Sequence, residues 1–199
     1  MEVTWGTREL LPTLGKQLRT ASSSLVRNSR ISLGVNVMTG TITKILAARV
    51  RRAFRDMPSP GDDIADPRNR GVEAEQVARA FRRRHWSELT NELLLRQPEA
   101  TAFFSGRALR YFLPGYLLLA IEDKESMGQA FHGFLMSLSQ GRGSDEDLCL
   151  LTKDQLTVTL AVLEALSPDE TDPSFWEFQH AKDGILDCLT RPDAPAGEP

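Results

Sequence analysis

The side chains best suited to acid–base or metal chemistry are scattered along this sequence. His85, His132 and His180 fall on three different predicted helices or at their edges, and none has a second ligand type at metal spacing. Asp183 follows His180 by three residues, which is one helical face, but a zinc site needs at least three protein ligands. The sequence contains no Gly-x-Ser-x-Gly, no phosphate loop ending in Gly-Lys-Ser/Thr, no His-Glu-x-x-His and no Cys-x-x-Cys. No catalytic residue, metal or cofactor is therefore assigned, and an enzymatic role is disfavoured.

Aromatic and acidic residues mark one place where a pocket could form. Trp86, Phe103, Phe104, Tyr111, Phe112 and Tyr116 are densely grouped, and aromatics at helical spacing usually fill cores. The alternative is a pocket beside Pro114, in which a helix break frees a carbonyl and Trp86, Tyr111, Tyr116 and Glu122 supply contacts. Glu122 and Asp123 are adjacent, so they diverge on a helix and make no catalytic pair.

Arginines form two clusters, Arg49-Arg51-Arg52-Arg55 and Arg79-Arg82-Arg83-Arg84. Their plain reading is two solvated faces whose long stems shield the core. The sharper one is a joint cationic patch for an anionic partner, built on Arg49, Arg52, Arg79 and Arg83.

These residues need elements to hold them, and the hydrophobic periodicity is helical throughout. Ile42, Ile45, Leu46, Val50, Ala53 and Phe54 predict a first helix starting at Thr41 or Thr43 and ended by Met57-Pro58-Ser59-Pro60-Gly61. A second is predicted over 71–84 with Val72, Val77, Ala78 and Phe81 inward. A third follows a break at His85–Ser87, with Ser87 as cap. Ser105 caps a long apolar helix that is expected to kink or break at Pro114. A fifth carries Met127, Phe131, Phe134 and Leu138. Leu148 to Leu151 reads as a strand-like lead-in to a helix behind the capping box Thr152–Gln155. The last begins at Asp172-Pro173. The expected fold is all-α, a single compact domain of six or seven helices, with no internal repeat.

Charge is unevenly distributed. Residues 1–60 hold ten Lys/Arg against three Asp/Glu, whereas the remainder holds fourteen against twenty-four. An acidic body disfavours nucleic acid and anionic lipid, and no apolar run is long enough to span a membrane. Residues 1–37 are rich in Ser, Thr and Arg; they read as a disordered leader, an upstream mis-start or a transit peptide. The domain is placed at 38–190 and a disordered tail at 191–199. Cys149 and Cys188 read as reduced thiols in a cytoplasmic protein, with a disulfide between them as the alternative.

Trp86-Ser87-Glu88-Leu89, the element Leu109-Arg110-Tyr111-Phe112-Leu113-Pro114-Gly115-Tyr116-Leu117 and Leu151-Thr152-Lys153-Asp154-Gln155 occur in order. With that order the chain resembles, from about Thr41 to Leu189, an uncharacterised bacterial family of small helical domains of unknown function. Gly115 departs from the larger small residue expected after the proline and is expected to loosen the break. The family has no assigned activity, so no residue role is implied. The expected function is a non-enzymatic protein-interaction or accessory module of the inhibitor or immunity type. A small-ligand-binding or hydrolytic protein using the Pro114 pocket is the alternative, and nucleic-acid binding through the arginines a third reading.

Overall fold

The computed structural model describes residues 32–139 and 148–191, with side chains from residue 40 onward. Two units divide the chain, Met1–Ile42 and Thr43–Pro199. Most of the expected leader and all but the first residue of the expected tail lie outside the described residues. Helical structure is nevertheless present from Ser32, well upstream of the expected start at Thr41.

Every regular element among the described residues is helical: α1 (Ser32–Ala53), α2 (Val72–Phe81), α3 (Asn91–Arg96), α4 (Ala100–Phe103), α5 (Gly106–Asp123), α6 (Gln129–Ser139), α7 (Lys153–Leu166) and α8 (Phe175–Thr190). Single 3-10 turns at Trp86–Glu88 and Glu125–Met127 precede α3 and α6. Leu148 and Cys149 are helical and the chain turns at Leu150, with Leu151 N–H on Leu148 O at 3.0 Å, in place of the expected strand-like lead-in.

The central element is α5. Ser105 caps it, its hydroxyl accepting from Ala108 N–H at 3.1 Å while donating to Asp63 O at 2.7 Å. Eleven of its eighteen residues are buried, as an apolar surface nearly all round requires. The helix is continuous through Pro114. Proline removes only the donor to the Arg110 carbonyl, and packing on all sides outweighs one lost bond.

Leu46 and Val50 of α1 enter the core together with Phe54 just beyond its end, but Ile45 is 54% exposed, so the inward stripe is narrower than its periodicity suggested. Val72, expected inward on α2, is likewise exposed, and Ala74, Val77 and Phe81 carry that helix's packing. The polar stretch 62–70 does more than connect. Ile64 is buried, Ala65 forms an antiparallel bridge with Phe104, and Asp66 N–H reaches Phe103 O at 2.8 Å.

Long-range bonds and close approaches lock the later helices. The Thr152–Gln155 capping box forms as expected, and Gln155 Nε2 also donates to Ala53 O at 3.1 Å, tying α7 to the end of α1. Helix α8 starts at Phe175 rather than at Pro173, because Asp172 turns back to accept from Ser174 N–H at 2.8 Å. It packs closely on α6, where a Cβ on Gly184 would lie 2.6 Å from Leu138 O. Cys149 and Cys188 form a disulfide, which corrects the expectation of reduced thiols. Residues 39 apart in sequence meet because α8 folds back beside the segment that leads into α7.

Candidate functional site

A groove of about 700 Å³ lies within the unit 43–199. One wall is the α1 stripe Thr43, Lys44, Ala47 and Arg51; the other is the α5 stripe Gly115, Leu118, Leu119 and Glu122. Lys44, Ala47 and Arg51 on one side, and Gly115, Leu118 and Glu122 on the other, are spaced by three, four or seven residues, so each set lies on one helical face, with Thr43 and Leu119 flanking it. Over seven residues each stripe runs about 10 Å, or two turns. Trp86, Ser87 and Leu89 close one side.

Gly115 makes that closure possible. A Cβ there would collide with the Trp86 carbonyl oxygen and lie 2.7 Å from Leu89 Cδ1. The absent side chain lets the Trp86–Leu89 segment lie directly on α5. Gly115 therefore tightens this junction, contrary to the expectation that it would loosen a break.

Polar groups distribute unevenly around the groove. Lys44, Arg51 and Glu122 are exposed, and none of them forms an ion pair among the described residues. Trp86 is 5% exposed, yet its indole Nε1 is buried without an acceptor. Leaving such a donor unmatched costs on the order of 1–3 kcal/mol.

Of the four residues expected to line a pocket, Trp86 and Glu122 do so; Tyr111 and Tyr116 do not. Both tyrosines are inside the protein. The Tyr111 hydroxyl is held by the Trp86 backbone and the Ser59 side chain, and burial raises its pKa. Tyr116 stacks on Phe134 with ring centroids 5.0 Å apart, and its hydroxyl has no partner. Burial pushes that phenol far above its ordinary range. A helix with so wide an apolar face packs its tyrosines into the core along with most of its leucines.

The arginine clusters also separate by role. Arg82 pairs with Asp62 at 3.2 Å, and Arg84 Nε donates to Ala80 O at 2.6 Å, closing the end of α2. Arg83 sits at a φ of 60°, where the chain reverses after α2. Arg49 is half-buried, and Arg52 and Arg79 are exposed. The basic groups brought to the groove are instead Lys44 and Arg51. Their signal in the sequence was their spacing from Ala47 along the flank of α1.

The nearest approach to a nucleophile and base is Ser87 Oγ, 2.7 Å from His85 Nδ1. That nitrogen also accepts from Ser87 N–H at 3.2 Å, and His85 N–H donates to Glu88 Oε2 at 2.8 Å. These contacts are a capping box that closes the Trp86–Glu88 turn. His132 Nδ1 lies 2.9 Å from Glu177 Oε2, and His180 is exposed beside a smaller groove with Asp183. Among the described residues no three His, Cys, Asp or Glu side chains are grouped to hold a metal ion.

No curated protein and no solved structure matches the chain significantly. A family model described as a family of unknown function, DUF6714, matches residues 45–182, well over half of the chain and all of the groove except Thr43 and Lys44. The chain belongs to the DUF6714 family, a family of unknown function.

Proposed function

We propose that this protein is a non-enzymatic interaction module, of the inhibitor or immunity type, whose α1–α5 groove receives a segment of a partner protein. The observation that carries the reading is the groove itself. Two helices present facing stripes that carry apolar Ala47, Leu118 and Leu119 together with charged Lys44, Arg51 and Glu122, and Leu89 adds apolar surface at one side. An open trough with unmatched charges at its rim suits a polypeptide better than an enclosed metabolite.

The withdrawal of Tyr111 and Tyr116 into the core weighs against the alternative, a small-ligand or hydrolytic site. The acidic body continues to disfavour nucleic acid. We place the module in a bacterial cell, as the family resemblance implies. The Cys149–Cys188 bond does not favour a cytoplasmic setting, since disulfides persist mainly in oxidising compartments. No helix among the described residues is long and apolar enough to cross a membrane.

Native mass spectrometry of the full chain purified from its host tests this. A stoichiometric polypeptide complex that is lost in Leu119→Arg and retained in Thr157→Arg, an exposed α7 position, is the expected result. A complex indifferent to both changes overturns the reading, as does a co-purifying small molecule that Leu119→Arg expels.

A further inference from the structure

The geometry points to one occupant of the groove: an amphipathic helix of the partner with two acidic residues seven apart on one flank and a basic residue on the other. This rests on the proposal that the groove binds a partner protein and adds the chemistry of that partner.

The walls argue for a helix. Each is itself a helical face about two turns long, carrying apolar Ala47 on one side and Leu118 and Leu119 on the other. Side-chain ridges of a third helix pack into such a trough. An extended peptide would need an exposed sheet edge for its backbone bonds. No β-strand occurs among the described residues, only the single bridge at Ala65 and Phe104.

The charges set the flanks. Lys44 and Arg51 lie seven residues apart on one wall, so carboxylates at the same interval on a parallel or antiparallel helix meet both. Residues 61–199 carry fourteen Lys/Arg against twenty-four Asp/Glu, so the net field of that part of the domain disfavours an acidic partner while Lys44 and Arg51 attract it locally. That gives register as well as attraction. Glu122 on the opposite wall calls for a Lys or Arg.

A fluorescently labelled, capped helical peptide of about 18 residues, with a leucine stripe, two glutamates seven apart and an opposing arginine, is the probe. Anisotropy against the full chain should show saturable binding. Lys44→Glu with Arg51→Glu should weaken it on the order of tenfold, with the helical circular dichroism unchanged. A peptide carrying lysines in place of the two glutamates should restore binding to that double variant alone. The Trp86 indole N–H resonance, identified with Trp86→Phe, should move on binding. Equal affinity of the unaltered protein for both peptides overturns the inference, as does no binding of either. So does self-association abolished by Leu119→Arg, which would make a second copy the occupant. If neither peptide binds while the polypeptide complex above still depends on Leu119, the helix chemistry fails and the groove reading stands.

Discussion

The backbone carbonyl of Trp86 occupies the space that a side chain on residue 115 would need, so Gly115 and Trp86 are in direct backbone contact across the α5 junction. The consequence is local and specific. The groove keeps its shape because the turn carrying Trp86 and Leu89 rests on the helix that carries Leu118, Leu119 and Glu122.

Gly115→Ala should therefore destabilise the protein by about 1–3 kcal/mol, the cost of forcing a packed backbone apart. It should also shift the Trp86 indole resonance. Gly133→Ala should cost less, because its Cβ would lie 3.3 Å from a side-chain atom, Thr101 Oγ1. Urea midpoints of the two variants test the ranking; equal losses would contradict it.

Tyr116→Phe should stabilise the fold, by about 1 kcal/mol, because the buried hydroxyl it removes has no partner. The phenol's pKa is raised in the folded state by burial. The neutral form's contribution is then complete below the unfolded value of about 10 and is lost as pH rises above it. Alkaline unfolding followed by circular dichroism should move to higher pH in the variant. An unchanged transition would show that Tyr116 does not govern it.

Reduction of Cys149–Cys188, or Cys149→Ser with Cys188→Ser, should lower stability by about 3–4 kcal/mol. That is the chain-entropy expectation for a bond closing residues 39 apart. Thermal unfolding with and without dithiothreitol reads it directly. Identical midpoints would mean the bond is absent or the reduced chain is equally constrained.

Asp66 is held below the ordinary carboxylate range first by the Arg68 side chain, whose Nε lies 3.0 Å from both Asp66 oxygens. A depressed folded pKa gives stability that is complete above the ordinary 3.8 and lost as pH falls through the folded value. Carboxyl carbon titration by NMR should place the Asp66 midpoint below 3.8. Arg68→Ala should raise it, and a midpoint unmoved by that change would remove Arg68 as the cause.

Helical periodicity made most of the architecture legible before any coordinates. The inward positions Val77, Phe81, Phe112, Phe134 and Ile185 all lie in the core. The caps Ser105 and Thr152 act where their neighbours predicted. Three features were hidden, each for a physical reason. Ile64 sits in a polar stretch, and only the bridge to Phe104 explains its burial. The exposure of Ile45 and Val72 depends on which neighbours arrive, which periodicity does not encode. The disulfide depends on the return path of α8, which no spacing of two cysteines reveals.

Of the candidate site, Trp86 and Glu122 were visible in the sequence as a buried aromatic and an acid ending an apolar run. Tyr111 and Tyr116 lie on the faces of α5 turned into the core, whereas the groove takes the face carrying Gly115, Leu118, Leu119 and Glu122. Arg51 was legible as a member of the first arginine cluster, but Lys44 stands outside both clusters, and the groove selects by helical face rather than by charge density.

Photo-crosslinking in the native host tests the groove most directly, with a photoreactive residue replacing Leu119 in one version of the full chain and Thr157 in another. The account predicts one partner polypeptide joined from position 119, not from 157, and joined through an amphipathic segment bearing acids seven residues apart. Adducts of equal yield from both positions, or from 157 alone, would contradict it.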